Sequence, residues 1–159
     1  MLKSTLAIPE TSPTRYLSGI VALNIPSGEG TGDWHQTQIF FRPYVRHPRS
    51  FLVGSGLDFD PTAYMGNAGV EDRSAELDAL GVEHPAGPVY AATHARAIAD
   101  LLLRAVLRGE SPQFVTLDDW MPKDEQKQSV LALLAKARPH LTQQQNDTLR
   151  RWALANAVE

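Results

Sequence analysis

The sequence predicts an α-rich α+β fold: one globular domain over residues 1–159, with a small antiparallel β-hairpin or sheet and a C-terminal helical hairpin. Three observations predict this class. They are an amphipathic helical pattern at residues 95–108, β-prone segments at 36–41 and 50–54, and two further helical patterns near the C-terminus. At 159 residues and 43% hydrophobic composition, the chain is long enough to bury the core of one domain.

The first third of the chain contains one helical pattern and one predicted hairpin. Residues 13–25 space their apolar side chains like a helix that stops at Pro26, although their Ile and Val content leaves a strand open. The β-prone segments 36–41 and 50–54 follow. The proline-containing connector between them would close a β-hairpin.

The middle third leads into the strongest helix. Residues 54–70 predict a loop with a short turn at 62–65, and residues 71–80 predict a short helix that ends at Gly81. Thr93 is then placed to cap the central helix at 95–108, which should form the centre of the core.

Two helices follow Gly109, which ends the central helix. Residues 122–137 carry the first, and after Pro139 a Thr142-x-x-Gln145 capping box opens the second. Because the connection between them is short, the two helices should form an antiparallel hairpin.

Composition excludes several classes of protein. The chain contains no cysteine, so disulfides, thiol catalysis and thiolate metal sites are ruled out. Pro9 and Glu10 interrupt the N-terminal segment before an apolar run of signal length forms, and no run approaches the roughly 18 to 20 apolar residues of a membrane span. We therefore expect a cytoplasmic protein without a membrane partner.

Negative charge is concentrated in the middle of the chain. The net charge is −3, yet residues 51–100 contain eight acidic and two basic side chains. Such a block argues against a general nucleic-acid binder, whose affinity comes from Lys and Arg. It is either a solvated face or a surface that docks a basic partner or mimics nucleic acid. Seven of the eight acids form this block: Asp58, Asp60, Glu71, Asp72, Glu76, Asp78 and Glu83.

A glycine-rich segment at residues 27–35 is the leading candidate site. Glycine allows the backbone to approach a ligand closely, and successive N–H groups in such loops can converge on an anion. The spacing matches neither a dinucleotide fingerprint nor a P-loop, so a plain tight loop is the alternative. The candidates for ligand or partner binding here are Glu29, Gly30, Gly32, Asp33, Trp34 and His35.

Asp33 and His35 lie two residues apart, so in an extended segment they would share one side of the chain. A carboxylate there could orient the imidazole for base or metal chemistry, with His94, Asp118 and Asp119, or Glu29 as the third group. This arrangement would suit a metal- or phosphate-dependent hydrolase. The alternative is a hydrogen-bonded histidine packed beside Trp34.

Three further segments contain candidate binding residues. Arg42, Arg46 and Arg49 form a basic patch that would bind phosphate, nucleic acid or an acidic partner, unless it is a solvated turn. His94 and Arg96 open the central helix and are candidates for partner binding. A third segment precedes a helix and would be either a charged helix start with a core indole or an interface anchor. It contains Asp118, Asp119 and Trp120.

Five stretches of the chain resemble segments of a known family: residues 22–26, 29–35, 88–90, 94–97 and 117–122. Together the chain resembles small bacterial mobile-element proteins with a Gly-Thr-Gly-Asp-Trp-His motif. The resemblance implies a link to toxin–antitoxin loci, beside nucleotidyltransferase-like toxins of the abortive-infection kind. It implies a protein partner and supplies no catalytic residue.

The sequence therefore favours a non-enzymatic protein-binding or regulatory protein, with an antitoxin-like neutraliser as the first hypothesis. The partner would be a toxin or another effector. We assign no catalytic residue, no metal and no cofactor. The alternatives are the hydrolase centred on Asp33, His35 and His94, and a nucleic-acid binder.

Overall fold

The structure is a computed structural model that describes residues 6–27, 38–41, 51–121 and 123–156. The described strands are β1 (Arg15–Leu17), β2 (Leu52–Gly54), β3 (Val70–Asp72) and β4 (Tyr90–Ala92). The described helices are α1 (Gly19–Leu23), α2 (Gln38–Phe41), α3 (Thr62–Met65), α4 (Ser74–Leu80), α5 (His94–Leu107), α6 (Leu117–Trp120), α7 (Asp124–Ala137) and α8 (Gln143–Ala155). Single 3₁₀ turns form at Pro112–Phe114 and Arg138–His140.

The four strands form one mixed sheet in the order β2-β1-β4-β3. β1 pairs antiparallel with β2 and parallel with β4, and β3 pairs antiparallel with β4. The α+β class, the small sheet and the C-terminal pair of helices are therefore confirmed. The sheet is mixed rather than purely antiparallel, because its two central strands, β1 and β4, run parallel.

The sheet separates two apolar clusters. Successive residues of a strand point to opposite faces, and the clusters follow this alternation. Tyr16, Val53 and Ala92 belong to one cluster with α5, α7 and α8, whereas Leu17 and Ala91 belong to the other with α2 and α4. Both faces of this small sheet are therefore covered.

Helix α5 lies at the centre of the first cluster. The Thr93 side chain accepts a hydrogen bond from the Arg96 amide, as its N-cap position predicts. α1, α7 and α8 all contact α5, and α8 begins with the Thr142–Gln145 capping box that the sequence predicts. The central helix and its two C-terminal neighbours thus follow the sequence pattern.

Of the two predicted strands, 36–41 and 50–54, the structure confirms only the second. Leu52–Gly54 is a strand and confirms the second segment, but its partner is β1. The described part of the first segment, Gln38–Phe41, is the helix α2, so the strand prediction is wrong there. Short apolar runs fit either element, and packing decides: Ile39 and Phe40 are buried, and the Phe40 carbonyl accepts a bond from the Leu6 amide.

Other boundaries differ because strands of three residues give weak sequence signals. Residues 13–25 contain both predicted alternatives, strand β1 followed by helix α1. The helix predicted from residue 71 begins only at Ser74, after strand β3, and ends at the predicted Gly81 with a left-handed φ of 77°. β4 was not predicted, since alanine has little strand preference. In the described part of the chain, no helix is long and apolar enough to span a bilayer.

Candidate functional site

Most of the predicted site residues lie outside the described residues. This holds for the glycine-rich candidates and for the basic patch, so the hydrolase and nucleic-acid hypotheses built on them stay predictions. These residues are Glu29, Gly30, Gly32, Asp33, Trp34, His35, Arg42, Arg46 and Arg49. His94, Arg96, Asp118, Asp119 and Trp120 are described.

Arg96 is completely buried and holds three parts of the chain together. Its Nε donates to Asp100 Oδ1 at 2.9 Å, and its Nη2 donates to the Tyr16 hydroxyl at 2.9 Å. The guanidinium also donates to the carbonyls of Gly66 and Ala68, at 2.8 and 2.7 Å. A buried guanidinium needs such partners, because an unpaired one carries a large desolvation penalty.

Asp100 accepts the remaining bonds of this network. Its Oδ2 accepts hydrogen bonds from the hydroxyls of Tyr16 and Ser18, each at 2.7 Å. Burial raises the pKa of Asp100, and the Arg96 guanidinium and these hydroxyls oppose that rise. Burial and then the Asp100 carboxylate raise the pKa of Tyr16, so its phenol stays neutral and donates. The network joins β1 to α5 in the interior of the protein.

Gly69 makes room for this arginine. Its φ is +77°, and a Cβ built on it would lie 2.8 Å from the Arg96 Cβ. The Gly69 carbonyl in turn accepts a bond from the Thr93 amide at the start of α5. The predicted partner-binding role of Arg96 is therefore not supported, because its side chain stabilises the interior.

His94 and Arg73 bind successive carbonyls at the point where the described chain enters the glycine-rich segment. His94 Nε2 lies 2.7 Å from the Ile25 carbonyl oxygen, and Arg73 Nη2 donates to the Pro26 carbonyl at 2.5 Å. Both side chains are buried. They anchor residues 25 and 26 to the starts of α5 and α4. His94 therefore contacts the backbone just before the glycine-rich segment, which contains the residues Asp33 and His35 that the sequence analysis groups with it.

Asp118, Asp119 and Trp120 form the short helix α6. Both acids are exposed, and Asp118 pairs with Lys127 of α7. Trp120 is half-buried and meets the exposed Phe114 edge to face, with ring centroids 6.5 Å apart. This segment combines the two sequence interpretations, because its acids lie in the first turn of a helix and its indole lies partly in the core.

Several members of the acidic block have local partners. Asp60 accepts from the Thr62 amide, Asp72 from the amides of Ser74 and Val89, and Asp78 contacts His84. Hydrogen bonds from Ser74 hold the pKa of Asp72 below its ordinary value. These acids therefore fix turns, which weakens their assignment to a docking surface. Among the described residues, no group of three or more His, Asp or Glu side chains could hold a metal ion.

A groove of about 950 Å³ runs between the end of α5, the first 3₁₀ turn and α8. One stripe of α8 lines it, with neighbours three or four residues apart, as expected for one face of a helix. The Trp152 indole is buried in its floor and donates to the Val115 carbonyl at 2.9 Å. The α8 stripe consists of Gln144, Gln145, Thr148, Arg151, Trp152, Ala155 and Asn156.

The walls of the groove carry mainly side-chain amides and hydroxyls, and its base is apolar. The opposite wall adds Gln113 and Thr116, while Glu110 and Arg151 supply one charge of each sign. Asn156 fixes the base, since its Oδ1 accepts from the Leu117 amide at 2.9 Å. Sequence reasoning missed this groove. The helical period of α8 places its groove-lining side chains on one face and could have indicated the groove, but a polar face is also typical of an ordinary solvent-exposed helix.

Comparison of the chain with models of known families, with curated proteins and with solved structures found no significant match.

Proposed function

We propose that this chain is a protein-binding module that holds an extended segment of a partner protein in the groove between α5 and α8. The groove's chemistry is the observation that carries the proposal. Side chains such as Gln113, Gln144 and Thr148 both donate and accept hydrogen bonds. They suit the alternating N–H and C=O groups of an extended backbone, while Leu107 and Ala155, which are not buried, offer apolar contact to its side chains.

The charges of the groove favour a peptide over nucleic acid. A nucleic-acid site gains its affinity by neutralising several phosphates, which requires an excess of Lys and Arg. Here Arg151 is balanced by Glu110 on the opposite wall. Phe114, the last residue of the first 3₁₀ turn, is exposed and contacts Trp120, and aromatic groups are enriched at protein interfaces.

The first partner to test is a toxin or another effector encoded beside this chain. This choice comes from the resemblance to mobile-element proteins, and an antitoxin-like neutraliser is the form of the proposal it favours. Such a protein acts by binding and masking its target. A module with a preformed groove would meet that requirement.

The test compares capture of the partner by variants of the two candidate surfaces. Thr148→Trp fills the groove from α8, and Gln128→Trp places the same indole on an exposed position of α7 that does not line the groove. A third variant, Asp33→Ala with His35→Ala, alters the glycine-rich segment. Partners are captured from native cells, identified by mass spectrometry, and titrated in purified form by calorimetry.

A stoichiometric partner that binds the wild type and Gln128→Trp but not Thr148→Trp supports the proposal. Loss of binding only in the double alanine variant would show that the interface lies at the glycine-rich segment and not at the groove. If no partner is captured, or if Thr148→Trp binds it as well as the wild type does, the groove is not the binding surface.

A further inference from the structure

His84 lies in the strap, which we define as residues 81–89, the connection between α4 and β4. Both of its ring nitrogens face acceptors. Nε2 lies 2.6 Å from Asp78 Oδ1, and Nδ1 lies 2.7 Å from the Pro85 carbonyl oxygen. A neutral imidazole has one N–H and therefore satisfies only one of these acceptors, whereas an imidazolium satisfies both.

The surroundings of His84 also favour the doubly protonated ring. Asp78 lies in the last turn of α4, where the helix dipole already disfavours a carboxylate and favours a cation. The negative charge of Asp72, at the end of β3, also favours the charged ring. The Pro85 carbonyl and then Asp78 raise the pKa of His84 above its ordinary 6.5.

The strap covers part of the second apolar cluster. Val82 is buried against Leu77 of α4, and its amide donates to the Leu77 carbonyl at 2.9 Å. At the far end, the Val89 amide donates to Asp72 at 3.0 Å. Between these two attachments, His84 ties the strap to α4 through its side chain.

We propose that His84 is a pH-operated latch, which holds the strap against α4 when both ring nitrogens are protonated and releases it when the ring gives one proton to solvent. The neutral ring turns a lone pair toward either the Pro85 carbonyl or the Asp78 carboxylate, so one of the two bonds is lost. The Val82 amide then becomes more accessible to solvent.

The direction of the pH effect follows from linkage. The pKa of His84 is higher in the closed strap than in the open one. The latch is therefore fully engaged below the open-strap pKa and is lost as the pH rises through the closed-strap pKa. A difference of one unit between these pKa values changes the opening equilibrium about tenfold.

Two measurements on the full chain test the latch. Ring-resonance NMR titration gives the pKa of His84 in the wild type and in Asp78→Asn. Hydrogen exchange, corrected for its intrinsic pH dependence, gives the protection of the Val82 amide below and above that pKa. His84→Gln removes the titrating group and keeps an amide that can hydrogen-bond, while His140→Gln removes an exposed histidine elsewhere in the chain.

The proposal expects a wild-type pKa above 6.5 that falls in Asp78→Asn, and Val82 protection that drops as the pH rises through it. His140→Gln should keep this step, and His84→Gln should lose it. A pKa at or below 6.5, or wild-type protection without a pH step, overturns the latch. If His84→Gln does not fold, the wild-type step and the Asp78→Asn titration decide the question.

Discussion

Arg96 is a buried charged residue whose hydrogen bonds connect several distant parts of the chain. Its guanidinium is tolerated in the core because Asp100, Tyr16 and two backbone carbonyls supply its partners. The i, i+4 spacing of Arg96 and Asp100 was a signal for an ion pair on one helix face, although sequence reasoning assigned Arg96 to partner binding instead. The carbonyls of Gly66 and Ala68 are not predictable in this way, since they come from about thirty residues away along the chain.

Asp100→Ala tests this network at the residue scale. The substitution leaves the Arg96 charge buried without its acid, and we expect a loss of about 3–5 kcal/mol in the free energy of unfolding. Asp147→Ala is the matched control, because it breaks the exposed pair with Arg150 and should cost about 0–1 kcal/mol. Denaturant unfolding measures both, and equal losses would contradict the structural role of the network.

Gly69→Ala tests the close approach to Arg96. Gly69 and Gly56 have similar φ values of +77° and +80°, so alanine at either position costs about 1–2 kcal/mol in backbone strain. Only Gly69 faces a contact, at 2.8 Å, whereas a Cβ on Gly56 meets nothing within 4 Å. We expect Gly69→Ala to lose about 1–3 kcal/mol more than Gly56→Ala, from overpacking.

Chemical denaturation of the two alanine variants gives this difference directly. If they unfold at the same denaturant concentration with the same slope, the backbone at Gly69 does not lie against Arg96 as described.

At the scale of elements, local signals decide what the sequence can predict. α5 and α8 were predicted with their caps because Thr93 and the Thr142–Gln145 box act within one turn. α2 was predicted as a strand because its apolar run fits both elements, and only contact with Leu6 and the second cluster selects the helix. Strand β4 forms because it pairs with β1 and β3, and no pattern within its own three residues predicts that pairing.

Thr93→Ala tests the cap that begins α5. The Thr93 hydroxyl accepts from the Arg96 amide at 3.2 Å, and its loss should destabilise the protein by about 0.5–2 kcal/mol. Thr93→Ser keeps the hydroxyl and should stay within a few tenths of a kcal/mol of the wild type. Thermal unfolding at constant pH compares the two. A serine variant as unstable as the alanine variant would show that the threonine methyl, and not the cap, matters here.

At the scale of the molecule, the candidate site and the core depend on the same helices. α5 and α8 form the walls of the groove, and Val106 of α5 and Trp152 of α8 also belong to the first apolar cluster. The groove arises only when the end of α5, the first 3₁₀ turn and α8 meet, so no single segment of sequence encodes it. Its shape depends on the same packing that holds Trp152 in place.

The two apolar clusters provide the test of a single folding unit. Leu102 on α5 lies in the first cluster and Leu77 on α4 in the second, and both are fully buried. Alanine at either position should cost about 2–5 kcal/mol, because it removes buried methyl groups and leaves a cavity. Because the thin sheet joins both clusters, we expect each variant to shift one shared unfolding transition.

Circular dichroism and Trp fluorescence followed in parallel during denaturation give the measurement, since coincident curves indicate one cooperative transition. Leu154→Ala is the control, because this side chain is 72% exposed and its truncation should change the stability by no more than about 0.5 kcal/mol. Separate transitions, with Leu77→Ala moving one and Leu102→Ala the other, would show that the sheet does not couple its two faces and that the chain folds as more than one unit.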